Sequence, residues 1–489
     1  MTLPGFSVQN RVTITMLILI IVVLGFISLS RLPLDLLPDI EYPAISVLTT
    51  YPGVGPKEVE SLITKPMEEA VATVSRVKSI KSFSQEGISV VMVEFGWGTD
   101  VDYAAEDVRD IIGMVQGYLP EEASRPVVVK FNLSMMPIVF YGVTGMEDTY
   151  ELKQLMEDIV KERIERIDGV ASCMVMGGAS REIVVSVDKG LAQAHGIPLS
   201  QVVSVLRSEN LNISGGHVKS GYSEWLVRTE GEYGELAEIE GAVVGYSRAG
   251  TPVHLSDIAE VRETNREARS IERIGAKEGV ILLVLKASGA NPLSVSRAVE
   301  REVERAKELL PEEIEFHSIF SQGEIVEKIA KSTAGNILWG GMLAVLAILL
   351  FLRSWRPTLV IAISIPFSII ATFIAIHFSG HTLNLMTLGG LALGVGMLVD
   401  NAIVVIENIF RHMEEGEDRK KASRTGAEEV TMAITASTVT TIVVFLPLVY
   451  AGGMAGRITR GLALTVTFSL GASLLVALTI IPMVASLLF

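Results

Sequence analysis

The stretch from Gly394 to Phe410, GVGMLVDNAIVVIENIF, puts a carboxylate inside a run that otherwise dissolves in hydrocarbon. Placing an ionisable side chain near mid-bilayer costs roughly 2.5–3.5 kcal/mol on insertion scales. Such a residue normally faces a bundle interior and marks an ion or proton path. A carboxylate placed there could take a proton from one side and release it to the other. The blander alternative is a structural carboxylate paired with a buried Lys or Arg. None of the other apolar runs contains either residue. Asn401 is the second candidate member of the relay by position, although an amide in a membrane helix is more often packing glue.

Other residues share this helix. Glu407 lies seven residues on, two turns along the same face, near the end of the run where a solvated or interfacial role fits. Gly390 and Gly394 form a GxxxG spacing that lets another helix approach closely. Thr435, Ser437, Thr438, Thr440 and Thr441 in the next apolar run are placed either to hydrogen-bond a carboxylate or to satisfy their own helix.

Six runs must position these groups. Val12–Ser30, Ser332–Leu352, Pro357–Ile376, Val430–Gly456 and Gly461–Phe489 lack charges and reach the roughly 18 residues needed to cross about 30 Å of hydrocarbon. Thr382–Ile406 qualifies apart from Asp400. The expected fold is a polytopic α-helical membrane protein with six transmembrane helices. A mean hydropathy of +0.44 alongside 20% charged residues fits a chain of two characters. Between Ser30 and Lys331 no run is long enough to span, so this part reads as a large soluble insert.

Charge sets the orientation. Arg411, Arg419, Lys420, Lys421 and Arg424 follow Asp400, and Arg353 and Arg356 lie in the loop between the second and third runs. Both loops fall on the same side, which the positive-inside rule makes cytoplasmic. Arg457 and Arg460 dissent mildly. The insert is then outside the cytoplasm and both chain ends are inside. A net charge of −15 argues against nucleic acid as a partner. The lone Cys173 excludes an intrachain disulfide and a zinc cluster. Seven scattered His, with no nucleophile elbow, phosphate loop or HExxH, argue against an enzyme.

Within the insert a pattern repeats. Ala44–Thr50, Val77–Phe83, Ile88–Phe95 and Pro126–Phe131 are strand-like, with helix-like segments at Gly55–Ser75 and Tyr103–Leu119. That order, β-α-β-β-α-β, is a ferredoxin-like unit. It restarts at Ile138–Val143, continues through a helix at Leu152–Ile167 and strand-like Cys173–Met176 and Glu182–Val187, and resumes after an insertion with Val280–Lys286, Pro292–Leu310 and Glu315–Phe320.

The stretch around Asp400 closely resembles the fourth transmembrane helix of resistance–nodulation–division (RND) efflux transporters of the hydrophobe/amphiphile (AcrB-like) branch. PDIEYPAISVLTTYPG, from Pro38 to Gly53, resembles the family's first porter segment. One span, a large insert and five further spans match the layout of its amino-terminal half. The resemblance implies a proton-driven exporter of amphiphilic compounds, trimeric, working in the inner membrane with a periplasmic adaptor, an outer-membrane channel and membrane lipid. It implies no cofactor and no resident metal, the proton-motive force supplying the energy. By it, the chain divides into a first transmembrane helix (1–31), porter subdomain 1 (32–134), porter subdomain 2 (135–187 and 270–331), an inserted docking domain (188–269) and helices two to six (332–489). Asp400 matches the family's relay aspartate, and Asn401 stands where many members carry a second one. Substrate-pocket positions fall on Met135, Met176 and Phe320. Met174 shares a strand face with Met176.

Flexible, polarizable Met suits a promiscuous apolar pocket. Thioethers also suit Cu(I), so export of copper or silver is the alternative substrate class. The short 210–229 segment departs from the long protruding arm of better-known members, which bears on how trimers interlock. The resemblance covers one half of a twelve-span transporter. A fragment, a split gene product with a separate carboxy-terminal half, a half-transporter that pairs with a second copy and an inactive scaffold are the readings it leaves.

Overall fold

The computed structural model describes residues 2–489 except positions 39, 41, 132–135, 221, 230, 248–249 and 267–269. A short helix the sequence pattern did not announce comes first: α1 (Leu3–Gln9), capped by the Thr2 hydroxyl, which accepts from the Gly5 amide. Asn10, with φ −107° and ψ 59°, breaks the chain away from helical geometry before α2 (Arg11–Arg31), the first span.

The first soluble unit runs β1 (Ala44–Thr50), α3 (Pro56–Val59), a π-helical turn (Glu60–Thr64), α4 (Lys65–Val71), β2 (Val77–Gln85), β3 (Ile88–Phe95), α5 (Val101–Val115) and β4 (Val127–Lys130). Its strands pair antiparallel in the order β2-β3-β1-β4. Alternation decides which side is covered: Ile45, Val47, Val91, Val93 and Phe95 point to one face and meet Ile63, Met67, Val108 and Ile112 from the helices. Asp100 caps α5 by accepting from the amides of Asp102 and Tyr103.

The second unit begins with β5 (Val139–Thr144), α6 (Thr149–Leu155), a π-helical turn (Met156–Lys161), α7 (Glu162–Glu165) and β6 (Val170–Gly177). A π-helical turn thus interrupts the first helix of both units. Next, β7 (Arg181–Val187) leaves the sheet, although the sequence pattern reads Glu182–Val187 as part of the same unit. The inserted region follows: α8 (Lys189–His195), α9 (Leu199–Glu209), the hairpin β8 (Ile213–Ser220) and β9 (Ser223–Thr229), α10 (Leu236–Glu240), β10 (Val243–Tyr246), β11 (Pro252–His254) and β12 (Ala259–Asn265). Strand β7 pairs with β12, and its Val185 and Val187 pack on the core of the inserted region around Val244, Leu255 and Ile258. This packing is why β7 goes with the insertion.

After a small hairpin, β13 (Arg273–Ile274) and β14 (Lys277–Glu278), come β15 (Val280–Lys286), α11 (Pro292–Lys307) and β16 (Glu315–Ser321). The second sheet is ordered β16-β5-β15-β6. Numbered within its own unit, each sheet has its strands in the order 4-1-3-2. The helices cover one face through a core that includes Val139, Tyr141, Leu152, Val160, Cys173, Leu282 and Val299.

Five long helices complete the bundle: α12 (Gln322–Leu352), α13 (Trp355–Phe378), α14 (Leu385–Glu414), α15 (Arg419–Tyr450) and α16 (Gly453–Leu488). With α2, six helices among the described residues are long and apolar enough to cross a membrane. Helix α12 starts ten residues before its apolar run. Its polar first turns rest on α11, where Arg297 reaches Glu327 at 2.8 Å and Val326 is buried. The apolar run Val430–Gly456 is divided at Ala451–Gly452, before Gly453 with φ +78°. Helices α14 and α16 form the buried centre, while α2, α12 and α15 leave most of their surface open.

Candidate functional site

Helix α14 is anchored at its start. The Asn384 side chain accepts from the amides of Met386 and Thr387, and the Thr387 hydroxyl accepts from the Asn384 amide at 2.8 Å. The same turn is tied to the chain leaving α2. Leu34 bridges Leu383, the Asp35 amide donates to Leu383 O at 2.9 Å, and the Leu385 amide donates to Leu36 O at 3.2 Å.

From that anchor, 3.6 residues per turn distribute the polar groups. Gly390 and Gly394 face α16. A side chain at Gly390 would meet Leu462 O at 2.7 Å, and one at Gly394 would meet the Ser469 side chain at 2.8 Å. The expected close helix approach is therefore at these two glycines. Asn401 lies near this sealed side, 8% exposed. Its Oδ1 accepts from the Thr438 hydroxyl of α15 at 3.2 Å, and its Nδ2 reaches Ser473 Oγ of α16 at 3.5 Å. Ser473 in turn donates to Leu398 O. Asn401 thus joins three helices. Among the other hydroxyls of α15, Thr440 and Thr441 donate to their own helix, at Ala436 O and Ser437 O.

Asp400 points elsewhere. It is exposed on the isolated chain and lines a groove of about 630 Å³ between α12 and α14. Glu407 lines the same groove, with Ile403 between the two carboxylates and Gly396 and Val399 on the other side of Asp400. The opposite wall is built of small residues, Gly340, Gly341, Ala344 and Ala347 of α12. Asp400 and Asn401, adjacent in sequence, are not brought together. Among the described residues neither the Asp400 nor the Glu407 carboxylate has a hydrogen bond or an ion pair.

The second candidate region is the bare face of the second sheet. Strand register places Phe320, Phe140, Leu283 and Met174 in one row across β16, β5, β15 and β6. The Phe320 and Phe140 rings lie 5.1 Å apart. Met176 sits in the next row, opposite Ile281. Met174 and Met176 are each about half exposed. Three strand spacings of about 4.8 Å separate Met174 from Phe320, roughly 14 Å. The β13–β14 hairpin bounds one end of this face, with Ile274 over Gly142. Met135 lies outside the described residues. Sequence reasoning did not single out Phe140 and Leu283. Their alternation with buried Val139, Tyr141, Leu282 and Val284 was the available signal, but the strand register was not.

On the covered face, Cys173 is buried and burial pushes its thiol up to about 12. The phenol of Tyr141 is pushed to about 12 by burial and by nearby Glu300 and Glu304. A partly buried ion pair, Lys286 Nζ to Asp35 Oδ1 at 3.7 Å, connects the end of β15 to the segment that holds the start of α14.

The Serratia proteamaculans (strain 568) protein named multidrug resistance protein MdtC is 31% identical over 98% of this chain and 47% of its own length. The proteins of that name from Enterobacter sp. (strain 638) and Escherichia coli (strain K12) are each 30% identical over 97% of this chain and 46% of theirs. The chain spans about half the length of these curated relatives. The family described as AcrB/AcrD/AcrF matches residues 3–489, and the chain belongs to that family.

Proposed function

We propose that this chain forms the amino-terminal half of an inner-membrane RND permease that exports amphiphilic compounds in exchange for protons, with Asp400 as the relay. The observation that carries this reading is the Asp400 carboxylate within a membrane-length helix, opening into a groove it shares with Glu407. An ionised carboxylate facing acyl chains is costly, so the α12–α14 face calls for a covering set of helices that contributes a cation. A carboxy-terminal half or a second copy supplies it. One charge crossing the membrane gains about 2.3 kcal/mol per 100 mV, enough to bias a switch between two arrangements.

In this reading the two α+β units are periplasmic ferredoxin-like porter subdomains. The region from β7 to β12 is the docking domain for a neighbouring protomer of a trimer and for an adaptor and outer-membrane channel. Small amphiphiles bind on the row of Phe320, Phe140, Leu283 and Met174, whose apolar, partly open surface suits them. The relatives' names, multidrug resistance protein, agree with this substrate class. Coupling runs from α14 through the Leu34–Leu383 bridge and the Asp35–Lys286 pair to β15.

The exposed thioethers of Met174 and Met176 support a second substrate class, copper or silver. The aromatic neighbours favour amphiphiles. Sensitivity of a deletion strain to dyes and bile salts, against sensitivity to copper and silver, separates the two. For the relay, Asp400→Asn in the assembled permease abolishes dye efflux while leaving membrane insertion intact. Proton-dependent efflux in that variant overturns the assignment.

A further inference from the structure

At the end of the bundle farthest from the soluble units, α1, the start of α2 and the start of α15 enclose a second cavity, about 680 Å³ in volume. That volume lies within the range of about 300–1,000 Å³ usual for ligand sites. Four cations line it: Arg11 at the first turn of α2, and Lys420, Lys421 and Arg424 at the start of α15. They converge from segments about four hundred residues apart in sequence.

The charges are unevenly satisfied. Lys421 pairs with Glu417 at 2.9 Å and Arg424 with Glu428 at 3.1 Å. Arg11 donates from Nη2 to the carbonyl of Ser486 at 3.2 Å, while its Nε is buried without a hydrogen-bond partner. Asp418 turns its carboxylate to the Lys420 amide as the helix cap. Among the described residues neither Arg11 nor Lys420 has a carboxylate within ion-pair distance.

The surroundings are amphipathic. Immediately beyond Arg11, α2 exposes Val12, Met16, Leu19 and Ile20 along its apolar span. The wall of the cavity is also held in place. Thr2 donates to Glu428, and Gly5 sits so close to Glu428 and Arg424 that a side chain there would meet the carboxylate at 2.8 Å. A cationic recess at the water edge, continuous with an apolar helix face, fits a molecule with a phosphate head and acyl tails.

We propose that this cavity binds the phosphate group of an anionic phospholipid, its acyl chains lying along the exposed face of α2. The phosphate bridges the guanidinium of Arg11 and the ammonium of Lys420 and so pins the start of α2 to the start of α15. The site is independent of the Asp400 relay and of which side of the membrane is cytoplasmic.

The test is native mass spectrometry of the full chain in detergent, titrated with phosphatidylglycerol or with phosphatidylcholine of identical acyl chains. Phosphatidylglycerol adducts are expected at about tenfold lower lipid concentration. The preference should vanish in R11Q/K420Q and persist in K277Q, which removes a distant exposed lysine. Equal retention of the two lipids by the wild type, or an undiminished preference in R11Q/K420Q, overturns the proposal. Displacement of phosphatidylglycerol by millimolar inorganic phosphate also overturns it, because the site then serves a soluble anion. If R11Q/K420Q does not fold, K420Q alone is read by the same criteria.

Discussion

On α14, the side bearing Gly390, Gly394 and Asn401 is sealed against α15 and α16, whereas the side bearing Gly396, Asp400 and Glu407 opens onto the groove with α12. One residue step turns a helix by about 100°. Two adjacent polar residues therefore take unlike jobs, one satisfied by hydroxyl partners from neighbouring helices and one left facing space. The sealed side makes the bundle, and the open side is where the proposed relay would take up its proton. Adjacency in sequence is thus a poor guide to the number of relay groups.

The largest expected effect breaks the open side. Asp400→Asn should reduce dye efflux by the assembled permease to background with a normal amount of protein in the membrane, read by immunoblot beside the efflux assay. The sealed side should instead lose stability. Gly394→Leu forces atoms into the Ser469 contact, and overpacking of this kind costs about 1–3 kcal/mol. A lowered thermal midpoint in detergent is expected for Gly394→Leu and not for Gly389→Leu, since Gly389 has nothing within 4 Å of the position a side chain would take. An unchanged midpoint for Gly394→Leu would erase the distinction.

Asn401→Ala should be milder. Hydrogen bonds between membrane helices average about 0.6 kcal/mol, so loss of the Thr438 and Ser473 contacts should cost about 1 kcal/mol while efflux survives. Loss of efflux as complete as in Asp400→Asn would make Asn401 a relay member after all. The smallest effect is expected from Glu407→Gln, which should leave efflux near wild type if Glu407 is a solvated neighbour.

The second sheet repeats the division with a period of two. Cys173 faces the helices and Met174 faces out. Because burial raises the Cys173 thiol, little thiolate is present at pH 8, and a maleimide should label it only after unfolding. Met174→Cys in a Cys173→Ser background should label quickly in the folded protein. Equal labelling rates would mean that the sheet faces are not separated in this way.

Most of this was legible in the sequence where one local rule sufficed. Apolar runs of membrane length located six helices, Gly390 and Gly394 marked a close crossing, and short strand-like runs at Ile88–Phe95 and Val280–Lys286 marked strands. Extents failed where tertiary contacts set them. Helix α12 begins early because α11 supports its polar turns, and α1 is too short for periodicity to reveal. Pairing was the harder loss. Nothing in the pattern of Glu182–Val187 says that it joins Ala259–Asn265, or that Phe140 stands between Phe320 and Leu283. The same limit hid the divergence of Asp400 and Asn401, since which faces of α14 are covered depends on helices elsewhere in the chain.

The bridge between Leu34 and Leu383, with the Asp35–Lys286 pair beside it, also sets where this chain can tolerate added length. A few extra residues between β8 and β9 only lengthen a two-stranded hairpin of the inserted region. The same residues added between Pro33 and Leu36 would slacken a stretch that hydrogen-bonds the start of α14 and grips the end of β15. Insertions there should leave both the bundle and the sheets folded yet let each move without the other, whereas insertions at the hairpin should pass unnoticed by the rest of the molecule.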